Sequence, residues 1–323
     1  MKLQVAVCGA ALAFSMLACQ QENIPEQGAM SENTEIRLRA AISDNRISRT
    51  TTDVDGGTVT FDSDDEIGFF MPDAEEPVVF TNDETNGWGT ADPLAWPNLT
   101  EKFTFHAFYP YQATATRSRI PMPYLDEQTG ALDEIGVYDF LTATKTCGFG
   151  DANGEVSFTG ADAFDHVYSL LLLTLSADSD VETLLNSVSL TGEGCFTHAT
   201  YSFADGTGKM IKEEGAEGGD TWTLDAGGEA IPGEEGIQLA LLLNPSETEV
   251  SLQLTIGYTR EGIGFTASTE AIRHTFVGGN SYKYTIRIND GQLIIEGMEV
   301  SGWITGEVEG GGSIVVDGTP QGE

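Results

Sequence analysis

The apolar residues of this chain recur at every second position, and that period decides what it can fold into. Val250, Leu252, Leu254, Ile256 and Tyr258 alternate with Ser251, Gln253, Thr255 and Gly257. Tyr282, Tyr284, Ile286 and Ile288 alternate with Lys283, Thr285 and Arg287. Phe103, Phe105, Ala107 and Tyr109 share one face, as do Ile36, Leu38, Ala40 and Ile42. Successive side chains of a strand point to opposite faces, so each pattern reads as a strand with one side on a core. No stretch carries an apolar stripe of helical period over three turns; Asp178 to Asn186 allows one short helical turn at most. Further strands are expected near 58–61, 66–71, 77–81, 155–159, 166–176, 186–191, 199–203, 221–225, 237–243, 265–270, 292–296 and 313–316. Asp55-Gly56-Gly57, Asn153-Gly154, Asp205-Gly206 and Gly278-Gly279-Asn280 punctuate them as turns. The acidic, glycine-rich stretches at 215–219 and 227–236 read as hairpin ends.

A chain of 323 residues suits about two domains, and short strands in this number suggest an all-β protein with two β-sandwiches in series. The longest apolar run, His166 to Ala177, is broken at Asp178-Ser179-Asp180, which places the boundary near 178. The expected organisation is a signal at 1–18, a tether at 19–35, and β-sandwich domains at 36–178 and 179–323.

The N-terminus reads as a removable export signal. Lys2 precedes a mostly apolar stretch, Leu3 to Leu17, too short to cross a bilayer as a mature helix. It ends in Leu17-Ala18-Cys19, which resembles the bacterial lipobox, where the cysteine is acylated and becomes the new N-terminus. An ordinary secretory peptide cut at Ala18 is the plainer alternative. Gln20 to Asn33 is polar, as a tether should be. The chain is therefore expected at the outer membrane, held by a lipid on Cys19. Of the other cysteines, Cys8 leaves with the signal. Cys147 and Cys195 are either a disulfide, permitted outside the cytoplasm, or two separate buried residues.

Charge narrows the partners. With 51 acidic and 15 basic residues the net charge is −36, which repels phosphate and disfavours nucleic acid or anionic lipid. The sequence holds no zinc helix of HExxH type, no GxSxG elbow and no phosphate-cradling GxxxxGK[ST] loop. Its four histidines are far apart, and carboxylates are too many for any pair to signify. Asp53-Val54-Asp55-Gly56 and Asp151-Ala152-Asn153-Gly154-Glu155 are fragments of a calcium loop that lack its remainder and a closing Glu at the expected spacing, and turn chemistry explains them equally well. Asn98-Leu99-Thr100 matches the glycosylation triplet, to which a bacterial lipoprotein gives little weight. No catalytic residue, metal or cofactor is expected.

Arginines are unevenly spread: Arg37, Arg39, Arg46 and Arg49 cluster in and after the first strand. They could simply offset nearby acids. The sharper reading is that Arg46 or Arg49 is offered to an arginine-specific protease. The cut would release an edge segment, Ile36, Leu38, Ala40 and Ile42, from its sheet. A lost strand leaves unpaired backbone groups and an apolar groove, which a strand from another molecule can fill. Four re-buried side chains at roughly 1.5–3 kcal/mol each, less ordering entropy, could hold such a joint.

These features together resemble the fimbrillin-like family, the type V pilins of Bacteroidetes, over about residues 17–316. The resemblance rests on the lipobox, on Ser48-Arg49-Thr50, and on Asp64-Asp65-Glu66-Ile67-Gly68-Phe69-Phe70. It continues through Phe105-His106-Ala107-Phe108-Tyr109-Pro110, Tyr138-Asp139-Phe140-Leu141-Thr142-Ala143 and Phe164-Asp165-His166. Gly279-Asn280-Ser281-Tyr282-Lys283-Tyr284 and Ser301-Gly302-Trp303 complete the ordered set. It implies two transthyretin-like domains, lipoprotein export, and placement on the surface as a structural or tip subunit of an adhesive pilus. It also implies trimming by an arginine-specific protease, by position after Arg49, with Arg46 second. The partners implied are other pilin subunits; an adhesive filament would also meet a host or bacterial surface receptor, which no residue names. Two departures stand out. A tryptophan often found before the Asp64 segment is absent, and the candidate donor strand, Ile314 and Val316, is short. The competing readings are a surface glycan-binding lipoprotein, stacking sugars on Trp88, Trp96 or Trp222, and, more weakly, a secreted hydrolase. The bland reading of those tryptophans is a place in the core.

Overall fold

The computed structural model describes residues 34–43, 61–83, 85–177, 181–192, 195–213, 221–233, 235–289 and 292–302. Its strands in chain order begin with β1 (Arg37–Ala40), β2 (Glu66–Phe70), β3 (Val78–Asp83), β4 (Gly87–Gly89) and β5 (Lys102–Tyr109). There follow β6 (Ile120–Pro121), β7 (Leu141–Gly148), β8 (Glu155–Phe158), β9 (Asp165–His166) and β10 (Ser169–Ala177). Next come β11 (Thr183–Gly192), β12 (Ala199–Ser202), β13 (Lys209–Lys212), β14 (Thr221–Ala230) and β15 (Ile237–Leu243). The last are β16 (Val250–Arg260), β17 (Ile263–Ser268), β18 (Ile272–His274), β19 (Asn280–Asn289) and β20 (Gln292–Gly302). Among the described residues the one α-helical turn, α1 (Phe149–Ala152), joins β7 to β8. The all-β class expected from the period of two holds, and the alternating segments at 103–109, 250–258 and 282–288 are strands β5, β16 and β19.

The first eight-stranded sheet has the order β8-β1-β4-β3-β2-β5-β7-β9. It curls on itself. Strands β8 and β2 stand four places apart, about 19 Å in a flat sheet at the usual spacing, yet the rings of Phe69 and Phe158 lie 6.3 Å apart. One face of the sheet therefore wraps a core that includes Ile67, Phe69, Phe105, Ala107, Leu141, Val156 and Phe158.

A four-stranded sheet, β15-β10-β19-β20, and a five-stranded path, β14-β11-β16-β17 with β18 beside β16, enclose a second core between them. Leu171, Leu173 and Leu175 point into this core, with Tyr282, Ile286, Leu254 and Tyr258. Leu170 of the same strand joins a separate cluster with Phe70, Phe108, Ile120, Tyr168, Tyr201, Phe203 and Leu242. That is why the Leu-rich run is almost continuously apolar: β10 is buried on both faces and pairs in parallel with β19. The sequence assigns this run to the first half of the chain, but it pairs with β15 and β19, and the change of sheet falls between His166 and Ser169.

Two local expectations change. The segment considered for a helical turn at 178–186 enters strand β11 at Thr183, because Thr183 and Leu185 face inward while Leu184 does not. The stretch from Gly227 to Ala230 is not a hairpin end but the far part of β14, reached through a bulge in which Gly227 and Gly228 take φ of 61° and 83°.

Candidate functional site: the groove under the first strand

Residues 34–43 run extended, with β1 at their centre and isolated bridges at either end, and the period of two is plain from Glu35 to Arg39. Ile36, Leu38 and Ile42 are 4%, 8% and 4% exposed, Ala40 is half-buried, and Arg37 and Arg39 face solvent. All four apolar side chains belong to the core of the curled sheet, with Trp96, Phe105, Val156, Phe158 and Phe164.

The segment is not an edge, as the sequence suggests, but an inner strand. On one flank β1 runs parallel to β8, from Arg37 opposite Glu155 to Ala40 opposite Phe158, and the parallel pairing continues as Ile42 opposite Phe164. On the other it meets β4 antiparallel, Leu38 opposite Trp88, and Glu35 bridges Ala95. Backbone bonds tie both sides. The Ile36 amide donates to the Leu94 carbonyl at 2.7 Å and the Trp96 amide to Thr34 at 2.9 Å. Opposite, the amides of Arg37, Ala41 and Ser43 donate to the carbonyls of Gly154, Phe158 and Phe164 at 3.1, 2.9 and 2.9 Å. The sequence hid the inner position because the rims contributed by β4 and Leu94–Trp96 come from short, irregular segments with no strand period.

The entrance of the strand is held by a tight turn. Asn153 and Gly154 both take positive φ, 48° and 77°, ending α1 and starting β8. Turned this way, the Asn153 carbonyl accepts from the Arg37 guanidinium, and the Gly154 carbonyl accepts from the Arg37 amide and, at 3.2 Å, from the Trp96 indole. The Asp151 carboxylate of the suspected calcium fragment is paired instead with Lys102 at 2.9 Å. The other fragment, 53–56, lies outside the described residues.

Aromatic rings pave the groove. Trp96 meets Phe105 and Phe149 edge-on at 5.3 and 5.9 Å. Phe61 touches Trp88, Tyr109 and Phe164 at 5.0, 5.3 and 5.3 Å. Trp96 and Trp222 are core residues, and Trp88 is half-buried against Phe61, so the first two offer no platform for a sugar ring.

Cys147 lies in the core of the curled sheet and Cys195 in the core between the four- and five-stranded sheets; no disulfide joins them. Burial raises the Cys147 thiol pKa. The histidines are dispersed. His166 is buried with Asp139, Nδ1 to Oδ2 at 2.6 Å. His106 stacks on Phe203 and lies 3.0 Å from the Thr144 hydroxyl. Burial, aided by the Arg117 charge, pushes the His106 pKa down to about 4. Among the described residues, no group of three or more His, Cys, Asp or Glu could hold a metal ion, and no helix is long and apolar enough to cross a membrane.

Cys19, Arg46, Arg49, Ile314 and Val316 lie outside the described residues. Of the residues singled out from the sequence, the structure brings together Ile36, Leu38, Ala40 and Ile42 in one strand over one groove.

The family model for fimbrillin-like proteins matches residues 48–303. Among solved structures, a proposed cell adhesion protein from Bacteroides ovatus is 18% identical, with a TM-score of 0.57 over 84% of this chain and 99% of that one. Another from Bacteroides uniformis is 20% identical, with a TM-score of 0.53 over 83% and 98%. These two share the fold. No curated protein matches the chain.

Proposed function

Because the chain belongs to the fimbrillin-like family, we propose that it is a structural, non-catalytic subunit of a cell-surface adhesive pilus, as stalk or tip. In this reading it is exported as a lipoprotein on Cys19 and reaches the outer surface. An arginine-specific protease then cuts after Arg49, or after Arg46, and residues up to the cut leave with β1. The vacated groove takes a donor strand from another pilin subunit, while a segment around Ile314 and Val316 is this chain's own candidate donor.

One observation carries the reading. The segment from Ile36 to Ile42 is held on both flanks and its three deepest side chains are core residues, yet Ile42 is followed within seven residues by two arginines. An inner strand cannot leave without replacement: its exit strands backbone donors and acceptors on β8 and beside Leu94, and opens an aromatic cavity to water. Strand addition satisfies both costs together. The family match, which begins at residue 48, starts beyond β1.

The test is made on cells with and without the gene. Electron microscopy should show filaments lost or altered in its absence, and mass spectrometry of the surface protein should find a new N-terminus at Thr50 or Ile47. Unchanged filaments, together with a surface chain that still carries residues 34–49, would refute the proposal.

A further inference from the structure

The occupant of the groove also records what the groove accepts. Its first and third residues, Ile36 and Leu38, and its seventh, Ile42, are deeply buried; the fifth, Ala40, is small and sits opposite Phe158. The second, Arg37, is bound through its side chain. Its guanidinium donates to the Asn153 carbonyl, and Glu155 stands opposite it in the parallel register. This end of the groove therefore presents acceptors and a carboxylate, and it favours a basic residue between the first two apolar anchors.

The chain's own C-terminal sequence does not carry that pattern. No register of residues 303–323 places aliphatic or aromatic side chains at all three deep positions. With Ile314 in the place of Ile36, Val316 replaces Leu38, but Val315 falls where Arg37 binds and Pro320 where Ile42 is buried. With Ile314 in the place of Leu38, Gly312 and Gly318 fall at the other two deep positions, and Val316 replaces the small Ala40. The segment contains no lysine or arginine and has four acids, Glu307, Glu309, Asp317 and Glu323. In a chain of net charge −36 it would approach an acceptor-rich rim with like charge.

Resting on the reading of β1 as a replaceable strand, we propose that the groove is selective for the donor strand of a different subunit. That donor is an extended segment of the pattern apolar–basic–apolar–any–small–any–apolar; a second copy of this chain that has been cut has lost its own segment of that pattern, Ile36 to Ile42, and its residues 303–323 are a poor donor. The selection lies in two places. Three anchor sites reject glycine and proline because an unfilled apolar site forfeits the burial that holds the strand. The Asn153 carbonyl rewards a cation at the second position and leaves a branched aliphatic side chain unbonded.

The test uses the full mature chain cut with an arginine-specific protease, then incubated with excess fluorescent peptide and read by anisotropy. Three peptides are compared: residues 34–43, the same peptide with Arg37→Ala, and residues 311–320. The 34–43 peptide should bind at least about tenfold more tightly than 311–320, and Arg37→Ala should weaken it by about three- to tenfold. If 311–320 binds as tightly, or Arg37→Ala changes nothing, selection for a basic, foreign donor is wrong while the replaceable strand stands. If no peptide enters the cut protein, the replaceable strand itself is wrong, and the selectivity falls with it.

Discussion

Leu38→Ala measures how firmly the first strand is held. Leu38 lies mid-strand, 8% exposed, between Trp88 on one neighbour and Val156 on the other. Truncating a buried leucine costs about 2–5 kcal/mol, depending on how far the site can collapse. The strand is short and near the surface, so the lower part of that range applies, about 2–3 kcal/mol. Urea unfolding of the intact chain, followed by tryptophan fluorescence, reads this as a lower midpoint at unchanged slope. Trp88 and Trp96 both line the groove and report on it directly. The solvent-facing Arg39→Ala is the control and should stay within about 0.5 kcal/mol of the parent. In the chain cut after Arg49, the same Leu38→Ala change should speed loss of the N-terminal segment by about thirty- to a hundredfold, since each 1.4 kcal/mol is a factor of ten. A Leu38→Ala chain no less stable than Arg39→Ala would refute the argument that β1 is a core strand.

Two further outcomes are expected. In the intact protein neither Cys147 nor Cys195 should react with a thiol reagent; once β1 has left, Cys147 should become reactive and Cys195 should not, as mass spectrometry of the labelled peptides would show. His106 is held neutral in the fold, its pKa lowered to about 4, whereas an unfolded chain protonates it near 6.5. The unfolded state then binds the extra proton first, so stability should fall as pH drops from 6.5 through 4, by at most about 3 kcal/mol from this residue. The difference in unfolding free energy between the parent and His106→Gln, measured across that interval, should show this slope, and a flat difference would remove the burial argument.

The clean alternation in β16 and β19 made those strands legible because each is half-buried, with apolar residues inward and polar ones outward; β5 was legible from the face it gives to the curled sheet's core, although from Phe105 on it is buried on both faces and Phe108 joins the cluster behind it. β7 was not legible as a strand. Its sequence, LTATKTCG, carries threonine and lysine opposite Phe108 and Phe105 of β5, and it is recognised only by its full antiparallel pairing with that strand. β4, three residues long, and β13, with lysine at both ends and an exposed Ile211, were hidden for the same reason. The apolar face of the segment from Ile36 to Ile42 was read from its period, and Ile36, Leu38 and Ile42 do share one core, with Ala40 packed against it. Its inner position could not be read, because local patterning carries no record of which distant segment lies alongside. The Asn153 acceptor was equally invisible: a backbone carbonyl leaves no mark in a sequence, and only the Asn-Gly turn hinted that the chain reverses there.

The parallel run of β1 along β8 has a mechanical consequence. A strand threaded between β8 and the opposite rim, and pulled along its own length, loads its backbone bonds on both flanks sideways and simultaneously. Such a seam resists by shear, not by unzipping one bond after another. The strand is therefore gripped hardest against a pull along its own axis, and most weakly against being peeled out from one end.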